Sequence, residues 1–384
     1  MKIIKLSLLL LIVGILACNT SNNSNNKSSI ENYCSTLDSS GFSIYLGNTI
    51  EKQRVFTKSI TVDVETDGVA SEPGVDAADD PAIWVNTENP EKSLILGTNK
   101  KGGIHVYNLE GDELQYVKSD CMNNIDLRDG FEYNGQNVVI VAASNCTRNT
   151  ISLFYIDKST NLLSDTILNI KSSVELIYGL CMYKSHISDK YYVFVNGERG
   201  ELEQWELSSE NNKFRTDLVR NFKVSSRPEG MVADDKEGKL YIGVEEEGIQ
   251  KVNAEPEFEF QTNWLVGSNP TDRSLVSSDI EGLALYKTEN KTYLIASSQG
   301  NFSYAIFEIG ETDKYLFSFV IKDGNIDGVE ETDGLELINF PFNDNFPKGM
   351  LVVQDGYNFS GDTLKNQNFK YISWEKIHQM IKNQ

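Results

Sequence analysis

From about Ile60 to the last dozen residues, apolar positions show no helical spacing. They fall in short runs rich in Val, Ile, Leu, Tyr and Phe, interrupted by Gly, Asn and Asp. Such runs predict β-strands. The runs are grouped into a composite unit. An acid or amide precedes a first apolar strand, a polar turn follows, a second and more apolar strand ends in small or polar residues, and a third strand alternates. The unit recurs with first strands that begin at Asp79-Asp80-Pro81, Asn123-Asn124-Ile125-Asp126, Glu175, Pro228-Glu229-Gly230, Asp279-Ile280-Glu281-Gly282 and Thr332-Asp333-Gly334. In the sixth unit the third strand is weak.

A spacing of roughly 45–55 residues is that of propeller blades. The pattern therefore predicts an all-β chain, a six-bladed β-propeller with four-stranded blades around a central channel, over residues 58–384. First strands line the channel in such a fold. Asp79/Asp80, Asp126, Glu175, Glu229, Asp279/Glu281 and Asp333 are accordingly expected to gather at one mouth. Carboxylates so collected repel one another unless cations sit among them. Oxygen donors of this kind suit a hard cation such as Ca²⁺. His105, His186 and His378 lie far apart in the sequence, which argues against a zinc site.

The charge balance, 35 Lys and Arg against 56 Asp and Glu for a net charge of −21, excludes nucleic-acid binding by simple attraction. A polyanion would need cations between it and the protein. Lys100, Lys101, Arg148 and Arg199 stand at loop ends expected to face the acidic mouth, and together with metal ions they would grip phosphates. The chain carries no Walker-type glycine loop, G-x-S-x-G elbow or cysteine-nucleophile motif.

Lys2 and Lys5 precede an apolar run that ends at Leu16-Ala17-Cys18. The run reads as an export signal, too short to span a bilayer comfortably. Its end resembles a bacterial lipoprotein processing site, with residues 1–17 removed and Cys18 lipidated, which would anchor the protein in the cell envelope, outer membrane or cell surface. An ordinary secretory signal is the other reading. Residues 18–32 read as a polar tether. Residues 33–57 are unassigned, with an N-terminal strand wrapping the body as one option. Cys34, Cys121, Cys146 and Cys181 would meet an oxidising compartment. Asn134-Gly135 predicts a two-residue hairpin turn. Counting outward from it puts Cys121 almost opposite Arg148 and diagonal to Cys146, which leaves both a disulfide and two free thiols open.

The stretches Asp76-Ala77-Ala78-Asp79-Asp80-Pro81-Ala82-Ile83-Trp84 and Asn123-Asn124-Ile125-Asp126-Leu127-Arg128 resemble the two signature motifs of the β-propeller phytases. Thr98-Asn99-Lys100-Lys101, Glu229-Gly230-Met231, Asp279-Ile280-Glu281-Gly282-Leu283, Ala296-Ser297-Ser298-Gln299-Gly300-Asn301, Thr332-Asp333-Gly334, Gln354-Asp355-Gly356 and Asn366-Gln367-Asn368-Phe369-Lys370 continue the match in order. The resemblance implies a six-bladed propeller, working as a monomer. It would hydrolyse phytate (inositol hexakisphosphate) or its calcium complex through a water bridging calcium ions, while an adjacent site holds a neighbouring phosphate.

Carried over by motif, Asp79, Glu229, Glu245, Asp279, Glu281, Gln299, Asp327 and Asp333 would surround the cleavage-site calciums. Of these, Asp79, Glu229, Glu245, Glu281 and Asp333 are the catalytic set. Asp80, the Ile125 carbonyl and Asp355 would hold a tighter structural calcium, and Lys100 and Tyr178 would touch phosphate. The chain departs from the family in three places. Cys146 follows Asn145 where an Arg is common, leaving Arg148 to substitute. Glu198-Arg199 stands for a Lys-Glu pair. Tyr357 replaces the Glu of Gln-Asp-Gly-Glu-Asn. The first two changes bear on the second phosphate site, the third on a structural calcium. A lactonase- or esterase-type propeller and a lipid-anchored propeller that binds without catalysis are the alternatives.

Overall fold

The structure, a computed structural model, describes residues 28–37, 41–211, 213–269, 276 and 279–384. Six small sheets form a ring. Blade one runs Ala78–Trp84, Leu94–Asn99, Gly103–Tyr107 and Glu113–Lys118 from channel to rim. Blade two starts at Met122–Tyr133, blade three at Ile177–Lys184, blade four at Pro228–Asp234, blade five at Ile280–Lys287 and blade six at Leu335–Ile338. Each first strand packs against the first strand of the next blade, and that of blade six returns to blade one.

The second strands are the most apolar because they are covered on both faces by neighbouring blades. Leu94, Leu96, Val139 and Val141 bury together between blades one and two. Val193 and Val195 join Ile140 and Ala142 between blades two and three. The alternating third strands reach toward the rim, and the fourth strands are the most exposed, as Lys213–Lys223 shows.

Ring closure uses the N-terminal end of the body. Val64–Glu65 pairs antiparallel with Asn368–Ser373 and becomes the outermost strand of blade six, while Ser59–Thr61 adds in parallel to Lys314–Lys322 of blade five. The weak third strand of the sixth unit is explained: the true one, Asn368–Ser373, follows a separate small hairpin, Phe359–Ser360 with Thr363–Leu364. A C-terminal helix, Trp374–Lys382, seals this seam by stacking Trp374 on Tyr286 with ring centroids 3.7 Å apart.

One option is corrected and one open pairing is decided. The described residues of 33–57 form no wrapping strand; the segment takes in the end of one helix, Ser29–Thr36, and all of a second, Gly41–Gln53. The polar tether therefore ends by Ser28, whose hydroxyl caps the first helix while Glu31 returns the bond. Cys121 and Cys146 form a disulfide with Cα atoms 5.5 Å apart. The simple hairpin count misses this because the blade-two ladder carries two bulges, between Met122 and Ile125 and between Arg128 and Phe131. Each shifts the register by one residue and together they bring Cys121 directly opposite Cys146. Cys18 lies outside the described residues.

Candidate active site

One recurring local device builds the mouth. In blades one to five the ladder between first and second strands slips at the same place, between Ala78 and Pro81, Met122 and Ile125, Ile177 and Leu180, Pro228 and Met231, and Ile280 and Leu283. A bulge frees two residues from the ladder and re-aims their side chains. The first residues of the freed pairs are Asp79, Asn123, Tyr178, Glu229 and Glu281, and Asp333 holds the matching place before blade six. In blades three to six the second residue is glycine. A Cβ on Gly230 would lie 1.9 Å from the Glu281 carbonyl oxygen, and one on Gly179 2.0 Å from that of Glu229. Each glycine thus lets the next blade's backbone close in, and the acid before it is carried to the channel mouth.

This register sorts the expected ring of acids. Asp79, Glu229, Glu281 and Asp333 belong to it. Asp126 and Glu175 do not, because each lies three residues from the bulge position. Asp126, half-buried, lies further along the first strand, where it pairs with Arg128 at 2.8 Å, and Glu175 pairs outward with Arg199 at 2.5 Å. Asn123 and Tyr178 hold the bulge positions of these two blades, and Tyr178 lines the mouth.

The mouth is a cavity of about 410 Å³. Asp76, Glu245, Asp279, Glu281, Glu331 and Asp333 line it, with Lys100 and Arg227 as the cationic side chains, and Tyr178 and Gln299 between them. Carboxylate oxygens of Glu229, Glu245 and Glu281 lie within 4.8 Å of one another. Asp79 Oδ2, Glu229 Oε2 and Glu281 Oε2 are buried and accept no hydrogen bond. Leaving a buried carboxylate oxygen unpartnered costs of order 1–3 kcal/mol or more, a cost that a bound cation or a proton relieves. Burial, followed by the charge of Glu229, pushes Glu281 well above the usual carboxylate range and Glu245 up to about 7. Burial also raises Asp79, against the pull of Lys100. Oxygen-only donors at this spacing fit calcium.

Lys100 is the internal counter-charge. Its ammonium reaches Asp333 at 2.8 Å, Asp76 at 2.9 Å and Asp79 at 3.6 Å. Burial opposes its charge, but these three acids outweigh burial and hold it protonated well above the ordinary lysine value. Gln299 donates to Asp333 at 2.5 Å. The Arg227 guanidinium lies over the Tyr178 ring, 4.5 Å from its centroid, and 2.9 Å from Glu245.

Other expected residues fall elsewhere. Asp80 accepts from the Ile125 amide at 3.0 Å and stays behind the mouth. Asp355 is not beside it but faces Asp327 across the buried ammonium of Lys370, at 3.5 and 2.6 Å from the nitrogen. Asp327 is thereby separate from the mouth cluster. Arg148 pairs with Asp120 and is mostly exposed, as is Arg199. Lys101 is an exposed turn residue. Asp76, first acid of the Asp76–Trp84 stretch, lines the mouth as that stretch suggested, whereas sequence reasoning missed Arg227 and Glu331. Arg227 was findable, since it stands two residues before Glu229.

The molecule is a six-bladed propeller with an oxygen-rich mouth of about 410 Å³, and comparison with known proteins supplies its class. The profile of the Phytase family matches residues 28–384. A 3-phytase of Bacillus subtilis (strain 168) is 43% identical over 330 residues, covering 84% of this chain and 85% of that protein. The chain belongs to the phytase family and hydrolyses phytate. Among solved structures, the lectin of Aleuria aurantia in complex with alpha-methyl-L-fucoside aligns at 11% identity with a TM-score of 0.48, covering 74% of this chain and 90% of that one. A Lactobacillus plantarum protein aligns at 11% identity and 0.47, covering 76% and 87%.

Proposed function

We propose that phytate hydrolysis by this chain depends on calcium ions held by Asp79, Glu229, Glu245, Asp279, Glu281 and Asp333, with the Gln299 side chain as a neutral ligand. The observation that carries this reading is the set of buried, unpartnered carboxylate oxygens on Asp79, Glu229 and Glu281. When bound, calcium would neutralise the phosphate and lower the pKa of a coordinated water. The protein's own residues do the rest. Lys100 holds Asp79 and Asp333 in place and offers its remaining donor capacity to a phosphate oxygen. Tyr178 and Arg227 form a stacked pair on the opposite wall, able to hold a second phosphate by a hydroxyl donor and a planar guanidinium. Arg227, rather than Arg148 or Arg199, is the basic group best placed for that second phosphate.

The proposal includes an exported protein lipidated at Cys18 and held at a membrane by its N-terminus, supported by the Lys2–Lys5 and Leu16-Ala17-Cys18 pattern. The test of the calcium reading is phosphate release from phytate by a soluble form starting near Ser28, titrated with Ca²⁺ and then with chelator. Release should rise with calcium and vanish on chelation. Ions that bind only the folded state stabilise it by about 2.7 kcal/mol at a hundred times their dissociation constant, so the melting temperature should fall as well. Full turnover and an unchanged melting temperature after thorough chelation would overturn the calcium reading.

A further inference from the structure

The motif Gln354-Asp355-Gly356 serves two places at once. Successive residues of a strand point to opposite faces. Asp355 accordingly faces the Lys370 ammonium, while Gln354 lines the mouth. Gln354 is only 1% exposed. Its backbone amide donates to the Gly334 carbonyl at 3.1 Å, and its side-chain Oε1 accepts from the Asp333 amide at 2.9 Å.

Blade six needs that second bond. In blades one to five the ladder resumes beyond the bulge, with Ala78 opposite Asn99, Met122 opposite Asn145, Ile177 opposite Gly197, Pro228 opposite Val244 and Ile280 opposite Ser298. In blade six the ladder stops at Leu335 opposite Val353. The Gln354 side chain stands in for the missing rung and holds the backbone of Asp333, an acid of the mouth.

The same bond fixes which way the carboxamide faces. Only its oxygen can accept an amide proton, so the NH₂ group is the end turned away from Asp333. This Nε2 is buried and has no hydrogen-bond partner among the described residues. The other two glutamines of the mouth direct their NH₂ groups to protein oxygens, Gln299 to the Asp333 carboxylate and Gln367 to the Gly356 carbonyl at 3.2 Å. A buried donor left open is rare in folded proteins and calls for a functional reason. A donor already clamped at its other end needs no reorientation when an acceptor arrives.

We infer that Gln354 is a further residue of the substrate site, whose Nε2 group donates a hydrogen bond to an oxygen bound in the mouth, either of the phosphate being cleaved or of water held by a cation there. The inference rests on the mouth being the phytate site. Failure of that reading shows separately, as near-normal turnover of phytate by Asp333→Asn.

The direct test is the side-chain amide resonance of Gln354 in protein labelled with ¹⁵N at glutamine. It is identified by its absence from Gln354→Glu, which keeps an acceptor for the Asp333 amide. Ca²⁺ is added first and orthophosphate second, and one Nε2 proton should move downfield. Movement on orthophosphate, with coupling to ³¹P, assigns the acceptor to phosphate. Movement on Ca²⁺ alone assigns it to cation-bound water. A resonance unmoved by either, in protein that binds both, would overturn the inference, because a residue that only clamps Asp333 leaves Nε2 as it was. Gln354→Met supplies the matching affinity. Loss of one hydrogen bond to a charged acceptor should weaken binding of the ligand that moves the resonance about tenfold. Unchanged affinity for both orthophosphate and Ca²⁺ would equally refute it.

Discussion

The ammonium of Lys100 stands 2.8 Å from a carboxylate oxygen of Asp333, joining the first blade to the last across the channel mouth. Asp333 is also fixed by Gln299, and its amide donates to the Gln354 side chain at 2.9 Å. Its carboxylate is therefore held in one place before any substrate arrives. Asp333→Asn keeps the shape and removes the charge. Turnover of phytate should fall about a hundredfold or more, as when a preorganised charge is removed from a reacting centre, with the melting temperature nearly unchanged. Near-normal phosphate release would take Asp333 out of the cation-binding set.

Arg227, Arg148 and Arg199 provide a contrast among three arginines. Arg227 faces the cavity over Tyr178, whereas Arg148 and Arg199 point outward to Asp120 and Glu175. Exposed ion pairs contribute little, about 0–1 kcal/mol. Arg227→Ala should raise KM for phytate about tenfold or more, by loss of a charge-assisted contact worth ~1.5–3 kcal/mol. Arg148→Ala and Arg199→Ala should change it no more than about twofold. Steady-state kinetics on the three variants decide the matter, and a large effect at Arg148 or Arg199 would move the second phosphate site outward.

The blade-two disulfide closes a loop with a sequence separation of 25. Loops of this size stabilise by about 3 kcal/mol through the unfolded chain. Cys121→Ser should lower the free energy of unfolding by that amount, read as a lower denaturant midpoint at unchanged slope. Equal midpoints for the two proteins would mean that the bond contributes nothing.

Lys370 is fully buried, with Asp327 at 2.6 Å, Glu65 at 2.7 Å, the Asn358 side chain at 3.1 Å and Asp355 at 3.5 Å. Burial opposes its charge, and the acids, Asp355 foremost, outweigh burial and keep it protonated. Removing one partner of a buried ionic group leaves the others uncompensated and costs about 3–5 kcal/mol. Lys370→Met should destabilise the protein by that much in urea unfolding. A loss below ~1 kcal/mol would show that the nest is charged from another source.

The blades and most mouth acids were legible because they rest on local signals: short apolar runs, turn residues and acid-glycine pairs at a regular interval. Register was not legible. The bulges that select Asn123 over Asp126 and Tyr178 over Glu175 leave no mark in the alternation of a strand apolar on both faces. The same bulges hid the opposition of Cys121 and Cys146. Arg227 escaped notice because its role depends on lying over Tyr178 of the preceding blade, a contact between residues 49 apart. The N-terminal helices escaped because their order comes from docking: the second contains Gly41 and Gly47 and is a poor helix by composition. Its stability is tertiary, through Leu46 and Ile50.

The closing seam has a consequence for how the protein is made. Glu65 pairs with Lys370, so the sixth sheet is completed by one strand made near the start of synthesis and others made at its end. Until the final residues emerge, five blades can stack but the circle stays open, and blade six exposes an edge with unpaired backbone groups. A chain cut short by truncation or early cleavage can never seal. Closure of the ring thus requires both Val64–Glu65 and Asn368–Ser373, segments about 300 residues apart in the sequence.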